Sequence, residues 1–191
     1  KNPFMQLKKI AMDKTVSAED RIQAVRYMVK IPHIHMVKNA VEAAETIIDD
    51  DNIPIGERYF FFSNNENGAK LEGHVVQNCH LYFFKSFATK VEYPLIFRLL
   101  SAQVIYCDFV HTDDNWSEAR EFIIRLCKDK NQSVSIRSEA ADVLLRKVSL
   151  DDMAIGQEVI SELGDLYFEN KRHTIYTNSQ NAHNDMISES V

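Results

Sequence analysis

Ser135-Ile136-Arg137-Ser138-Glu139-Ala140-Ala141 is one of four stretches that stack on one another at a spacing of about forty residues. The others are Glu19-Asp20-Arg21-Ile22-Gln23-Ala24-Val25, Gly56-Glu57-Arg58-Tyr59-Phe60-Phe61-Phe62 and Ile96-Phe97-Arg98-Leu99-Leu100-Ser101-Ala102. The four arginines are separated by 37, 40 and 39 residues. An aspartate stands eight residues before the arginine in three of them (Asp13, Asp50, Asp129), and Lys90 takes that place in the third. A period of this size marks pairs of helices that cannot bury their apolar faces alone and must stack. The expected architecture is therefore an all-α solenoid, and the expected style of function is binding along an extended surface.

Apolar spacing within each unit supports two helices. The first-position helices are expected near Ala18–Ile31, Ile55–Asn65, Tyr93–Phe109 and Val134–Val148. The second-position helices are expected near Ile34–Asp49, His74–Ala88, Trp116–Lys128 and Met153–Glu169. Runs such as Val37/Val41/Ala44/Ile48 and Ile155/Val159/Leu163/Leu166 follow the helical period, and no window alternates with a period of two. Pro3–Met12, with Phe4, Leu7 and Ala11 on one face, reads as an extra helix at the N-terminal end of the stack, as if a repeat had been cut in the middle.

Punctuation falls where helix pairs need it. Pro32 breaks the first inner turn, Pro54 opens the second pair and Pro94 sits in the first turn of the third. Asn115-Trp116-Ser117-Glu118 has the form of a capping box, and Asp151 or Asp152 can cap the last helix. The Asp49-Asp50-Asp51 run lacks the glycine and spaced ligands of a calcium loop, so capping of the following helix is its expected role. The aromatic run Tyr59–Phe62 is expected to be core, and Ser63–Gly73 the longest exposed loop. From this layout residues 1–170 form the helical-repeat domain, and 171–191 a polar tail, extended or disordered.

The 191 residues are 45% hydrophobic and 26% charged, which excludes a chain disordered throughout. Only five glycines and four prolines are present, too few for the many turns of an all-β chain. Residues 1–100 carry 13 Lys/Arg against 12 Asp/Glu, and residues 101–191 carry 9 against 16. Phosphate binding needs clustered cations, so nucleic acid is disfavoured and a basic protein segment is the better match for the C-terminal half. Cys79, Cys107 and Cys127 form no CxxC pair; buried thiols in a reducing, intracellular compartment (cytoplasm or nucleus) are expected. No apolar stretch approaches the length of a membrane span, so a soluble protein is expected.

Catalytic signatures are missing from the sequence. His33 and His35 diverge on a helix, as do His74 and His80, and there is no HExxH, zinc-spaced Cys/His cluster, nucleophile elbow or P-loop. No catalytic residue, cofactor or metal is expected.

Asp129 followed by Ile136-Arg137-Ser138-Glu139-Ala140-Ala141-Asp142-Val143-Leu144 resembles the first helix of a HEAT repeat, an armadillo-like helical module. The small residues of that motif let neighbouring helices approach closely. The resemblance covers about residues 13–170, is good in the fourth unit and fair in the first, keeps Arg98, Ala102 and Ile105 in the third, and is poor in the aromatic second. It implies a right-handed α-solenoid of about four HEAT-like helix pairs. It also implies a ladder in which Asp13, Asp50 and Asp129 link to Arg21, Arg58, Arg98 and Arg137, with Lys90 interrupting one rung. The segment Tyr176–Asn184 resembles uncharacterised HEAT-like proteins of large DNA viruses.

The family likeness implies a non-catalytic protein-binding scaffold whose second-position helices line the concave side. The implied surface comprises His35, Lys38, Glu42 and Glu45, then Gln77 and His80, then Glu118, Glu121 and Arg125, and finally Gln157, Glu158, Glu162 and Asp165. The alternative is a nucleic-acid-associated or translation-type adaptor. A more remote one is a HEAT-like enzyme such as a DNA glycosylase, which needs a basic groove that this acidic second half does not offer.

Overall fold

Helix termini decide where the chain bends, and among the described residues the main elements are α1 to α9. The structure is a computed structural model that describes residues 2–30, 34–63, 73–86, 94–109, 111–146 and 149–173; the side chains of 34–37, 60–63, 73–77 and 83 lie outside that description. Among the described residues there is no strand, and the protein is all-α. Helix α1 spans Pro3–Met12, α2 Ala18–Val29, α3 Ile34–Ile48, α4 Ile55–Ser63 and α5 Gly73–Ser86. Helix α6 spans Leu95–Asp108, α7 Asp114–Lys128, α8 Val134–Leu144 and α9 Leu150–Leu163.

Asn2 caps α1 by accepting the Phe4 N–H at 3.1 Å, and Pro3 occupies the first helical position, where a missing N–H costs nothing. Ser17 and Ser133 cap α2 and α8 in the same way. Two expected caps are corrected. Asp113, not Asn115, caps α7 by accepting the Asn115 N–H at 2.7 Å. Ser149, not Asp151 or Asp152, caps α9. Pro94 stands just before α6 rather than inside it.

The described residues fall into two compact units, Lys1–Ser117 and Glu118–Val191. In the first, α1 packs on α2 and α3, α3 packs on α2, α4 and α5, and α5 packs on α4 and α6. Phe4, Ala11, Val25, Met28, Ala44, Ile47, Ile48 and Tyr59 build its core, with Leu7, Ile22 and Val41 partly buried against it. Each large aliphatic side chain removed from water here contributes roughly 1.5–3 kcal/mol. Helix α6 adds Leu99, Ala102, Ile105 and Tyr106, all fully buried. The side chains of Phe60–Phe62 fall outside the description; of the expected Ser63–Gly73 loop, Ser63 ends α4 and Gly73 opens α5, while 64–72, Pro32 and Lys90 lie outside the described residues.

The second unit holds the later turns of α7, then α8, α9 and helical residues 165–173. Ala119, Phe122, Ile123, Leu126, Ala140, Ala141, Val143, Leu144, Val159 and Leu163 are buried there. Helices α8 and α9 approach closely at Gly156, where a Cβ would meet the Ala141 carbonyl oxygen at 2.9 Å and Leu145 Cγ at 3.3 Å. A backbone oxygen cannot step aside, so Gly156→Val pushes α8 and α9 apart, and Ala141→Phe overfills the fully buried Ala141 position. Either is expected to cost about 1–3 kcal/mol by overpacking, read as a lower urea midpoint; unchanged unfolding means the two helices do not meet at these residues.

A single last helix over Met153–Glu169 is not what forms. Gly164 adopts φ 53°, its N–H bonds the Ile160 carbonyl at 2.9 Å, and α9 stops at Leu163. A glycine is the residue that ends a helix this way without a Cβ penalty. Helix resumes over 165–173, and residues 174–191 lie outside the description.

Candidate functional site

Three loops between helices are built alike. Asp13, Asp50 and Asp129 each accept the N–H two residues on, from Thr15 at 2.9 Å, Asn52 at 3.1 Å and Asn131 at 3.0 Å. Such a side-chain turn is what aspartate supplies at a helix exit. Four residues after each aspartate, Ser17, Pro54 and Ser133 give their carbonyls to the N–H of Arg21, Arg58 and Arg137. The arginine side chain then reaches back to a carbonyl ten residues earlier. Arg21 Nε meets Ala11 O at 3.0 Å, Arg58 Nη1 meets Ile48 O at 2.7 Å and Arg137 Nε meets Cys127 O at 3.1 Å.

Each of those carbonyls is in the last turn of the preceding helix, where it has no intrahelical partner and the dipole is negative. A buried guanidinium satisfies both needs with a charge-assisted hydrogen bond. Arg21, Arg58 and Arg137 are correspondingly buried. Arg98 departs from the pattern: its Nε bonds Phe84 O at 3.3 Å, fourteen residues back, and its guanidinium lies 5.1 Å from the Phe84 ring centre.

The expected aspartate–arginine ladder is therefore formed in part. Arg21 pairs with Asp50 of the next repeat, both 2% exposed, and that bond holds the Asp50 carboxyl below the ordinary carboxylate range despite burial. Arg58 meets Asp51 at 3.3 Å, and Arg137 meets Glu162 at 3.2 Å, a carboxylate shared with Lys130. Asp13 and Asp129 serve their own loops instead, and their carboxyls are lowered chiefly by Thr15 and by the Asn131 N–H. The Asp49–Asp51 run is corrected likewise: Asp50 and Asp51 meet arginines and Asp49 accepts the Tyr82 hydroxyl at 2.5 Å.

The polar residues of the implied surface have separate fates. The side chains of His35 and Gln77 lie outside the description. Lys38, Glu118, Glu121, Arg125, Gln157, Glu158 and Asp165 are exposed. Glu42 receives Lys8 Nζ at 2.6 Å, and Glu45 is half-buried, its carboxyl raised by burial and by Asp49 and Glu42. Glu162 is half-exposed and already engaged by Lys130 and Arg137.

His80 is a correction, because it is buried in the first unit and cannot present itself to a partner. Its ring sits edge-on to Tyr59 at 5.8 Å, and its Nδ1 has no hydrogen-bond partner. Burial pushes its pKa down from 6.5 to about 4. The folded state thus keeps a neutral ring where the unfolded chain takes up a proton. The stabilisation is complete above pH 6.5 and is lost as pH falls toward 4, a change of about 3 kcal/mol. His80→Leu is expected to flatten that part of the stability profile; equal slopes for wild type and variant between pH 7 and 4.5 refute it.

Cys79 and Cys127 are buried as expected, their thiols raised by burial, whereas Cys107 is exposed. Sequence reasoning missed the Arg120–Asp152 pair, in which Arg120 Nε and Nη2 reach the fully buried Asp152 carboxylate at 2.5–3.1 Å. It also missed Tyr167 and Lys171, which anchor 165–173 to α8: the Tyr167 hydroxyl donates to Asp142 at 2.6 Å, and Lys171 bonds Asp142 and Glu139. A spacing of 25 to 32 residues between partners leaves no local signal for either.

Among the described residues no three His, Cys, Asp or Glu side chains converge as a metal site would need, and no helix is long and apolar enough to cross a membrane. The molecule belongs to the all-α class, with a recurring arginine joint between helices. Comparison with protein-family models, curated proteins and solved structures finds no match to this chain.

Proposed function

We propose that the protein is a non-catalytic, protein-binding scaffold assembled from HEAT-like helix pairs. The observation that carries this reading is the recurrence of one joint, aspartate turn, helix start and back-reaching arginine, at Asp13–Arg21, Asp50–Arg58 and Asp129–Arg137. A joint repeated along a chain is the hallmark of modular stacks, whose usual role is to present side chains over a long surface. Arg21, Arg58 and Arg137 are spent on joining helices, while Glu158 and Asp165 are exposed.

Glu158 and Asp165 are exposed acidic residues of the implied surface at the last helices, and they suit a Lys/Arg-rich segment through steering that weakens with salt. Glu162 is left out of the test because reversing it also breaks the Arg137 contact. Affinity capture with Glu158→Lys/Asp165→Lys is expected to lose most of what the wild type retains, about tenfold for a 1.4 kcal/mol loss. Unchanged capture removes this surface from consideration. Retention on heparin or single-stranded RNA at physiological salt would favour the nucleic-acid adaptor instead.

A further inference from the structure

We infer that helical residues 165–173 form a strap that swings off α8 while the rest of the second unit stays folded, with Gly164 as its hinge. Helices α7, α8 and α9 each bury apolar side chains in that unit, among them Ile123, Val143 and Val159. None of residues 165–173 is buried, and Leu166 and Phe168 are 54% and 58% exposed. Closing the strap therefore gains little from removing apolar surface from water, the term that holds the other helices together. Polar bonds take its place. Tyr167 and Lys171, one turn apart, both face α8. The Tyr167 hydroxyl donates to Asp142 at 2.6 Å, and the Lys171 ammonium bonds Asp142 and reaches Glu139 at 3.4 Å. That ammonium also lies 5.9 Å from the Tyr167 ring centre, so loss of one anchor weakens the other. Lys171, Glu139 and Asp142 are all partly exposed, which leaves their attraction open to screening by salt.

The hinge suits the movement. Gly164 has φ 53° and ψ −128°, a conformation that residues with a side chain rarely adopt, and a Cβ there would meet nothing within 4 Å. The bend is thus set by the backbone and not by a neighbour that would have to move first. A helix this short does not persist in water without a surface to lie on, so release and unwinding go together. A segment with few buried apolar contacts opens at a fraction of the cost of the whole unit. Closed, Lys171 neutralises Glu139 and Asp142; open, both carboxylates are bare. The strap thereby sets how much negative charge α8 displays, whatever partner the protein binds.

Amide hydrogen exchange of the full chain, in urea below the unfolding transition, tests this. The helical amides of 165–173 are expected to exchange faster than those of α8, at a rate nearly independent of urea, because a local opening uncovers little surface. Raising salt from about 0.05 to about 0.5 M is expected to speed them several times. Lys171→Met is expected to speed them about tenfold, the loss of a charge-assisted contact, and Tyr167→Phe acts in the same direction. Arg172→Met removes the same charge from an exposed position and is expected to leave them unchanged. Amides of 165–173 that lack protection, or that share the steep urea dependence of α8, overturn the proposal. Equal effects of Lys171→Met and Arg172→Met do so as well.

Discussion

Arg21→Met is expected to lower the stability of the first unit by about 3–5 kcal/mol, the scale of a buried ion pair stripped of one partner. Three bonds end at once: Nε to Ala11 O at 3.0 Å, Nη2 to Thr46 O at 3.4 Å, and the pair with Asp50. The largest part of the loss is Asp50, left charged and 2% exposed with only Asn52 to satisfy it. Adding Asp50→Asn tests this directly, since asparagine keeps an oxygen for the Asn52 N–H and removes the charge. The double variant is expected to recover part of the stability. Trp116, the single tryptophan, lies in this unit, stacked on Tyr106 at 5.7 Å and His111 at 4.7 Å, so its fluorescence reports the transition. A loss below 1 kcal/mol means that Arg21 is not the buried clamp described.

Arg120→Met is expected to cost about 3 kcal/mol in the second unit. Asp152 is fully buried three residues into α9, and Arg120 of α7 is its bidentate partner. The opposite change, Asp152→Ala, is expected to cost less, because Arg120 is 31% exposed and can turn toward water. That asymmetry is the diagnostic result, read from circular dichroism in urea. Equal losses for the two changes would mean the carboxylate is solvated in the native protein.

Helix positions were legible because apolar residues recur at helical spacing in most elements. Pro3–Met12 is found residue for residue, and α3 differs from its expected bounds by one residue. The all-α class follows from the same signal. The one long miss, Met153–Glu169, came from reading an apolar period through Gly164, whose positive φ only the backbone reveals. Arginine spacing was visible, but its purpose was not. Expectation paired each arginine with an aspartate, whereas all four bond helix carbonyls, and a backbone oxygen leaves no mark in a sequence. His80 looked like surface because a histidine is polar; its neighbours Cys79 and Phe84, both buried, were the better guide.

The joint also acts as a ruler. Eight residues separate Asp129 from Arg137, as they do Asp13 from Arg21 and Asp50 from Arg58. One residue added in the helical part of that interval turns the arginine by about 100° relative to the helix start and moves it off its carbonyl. An added residue there is therefore expected to cost the arginine its carbonyl bond at these three bends.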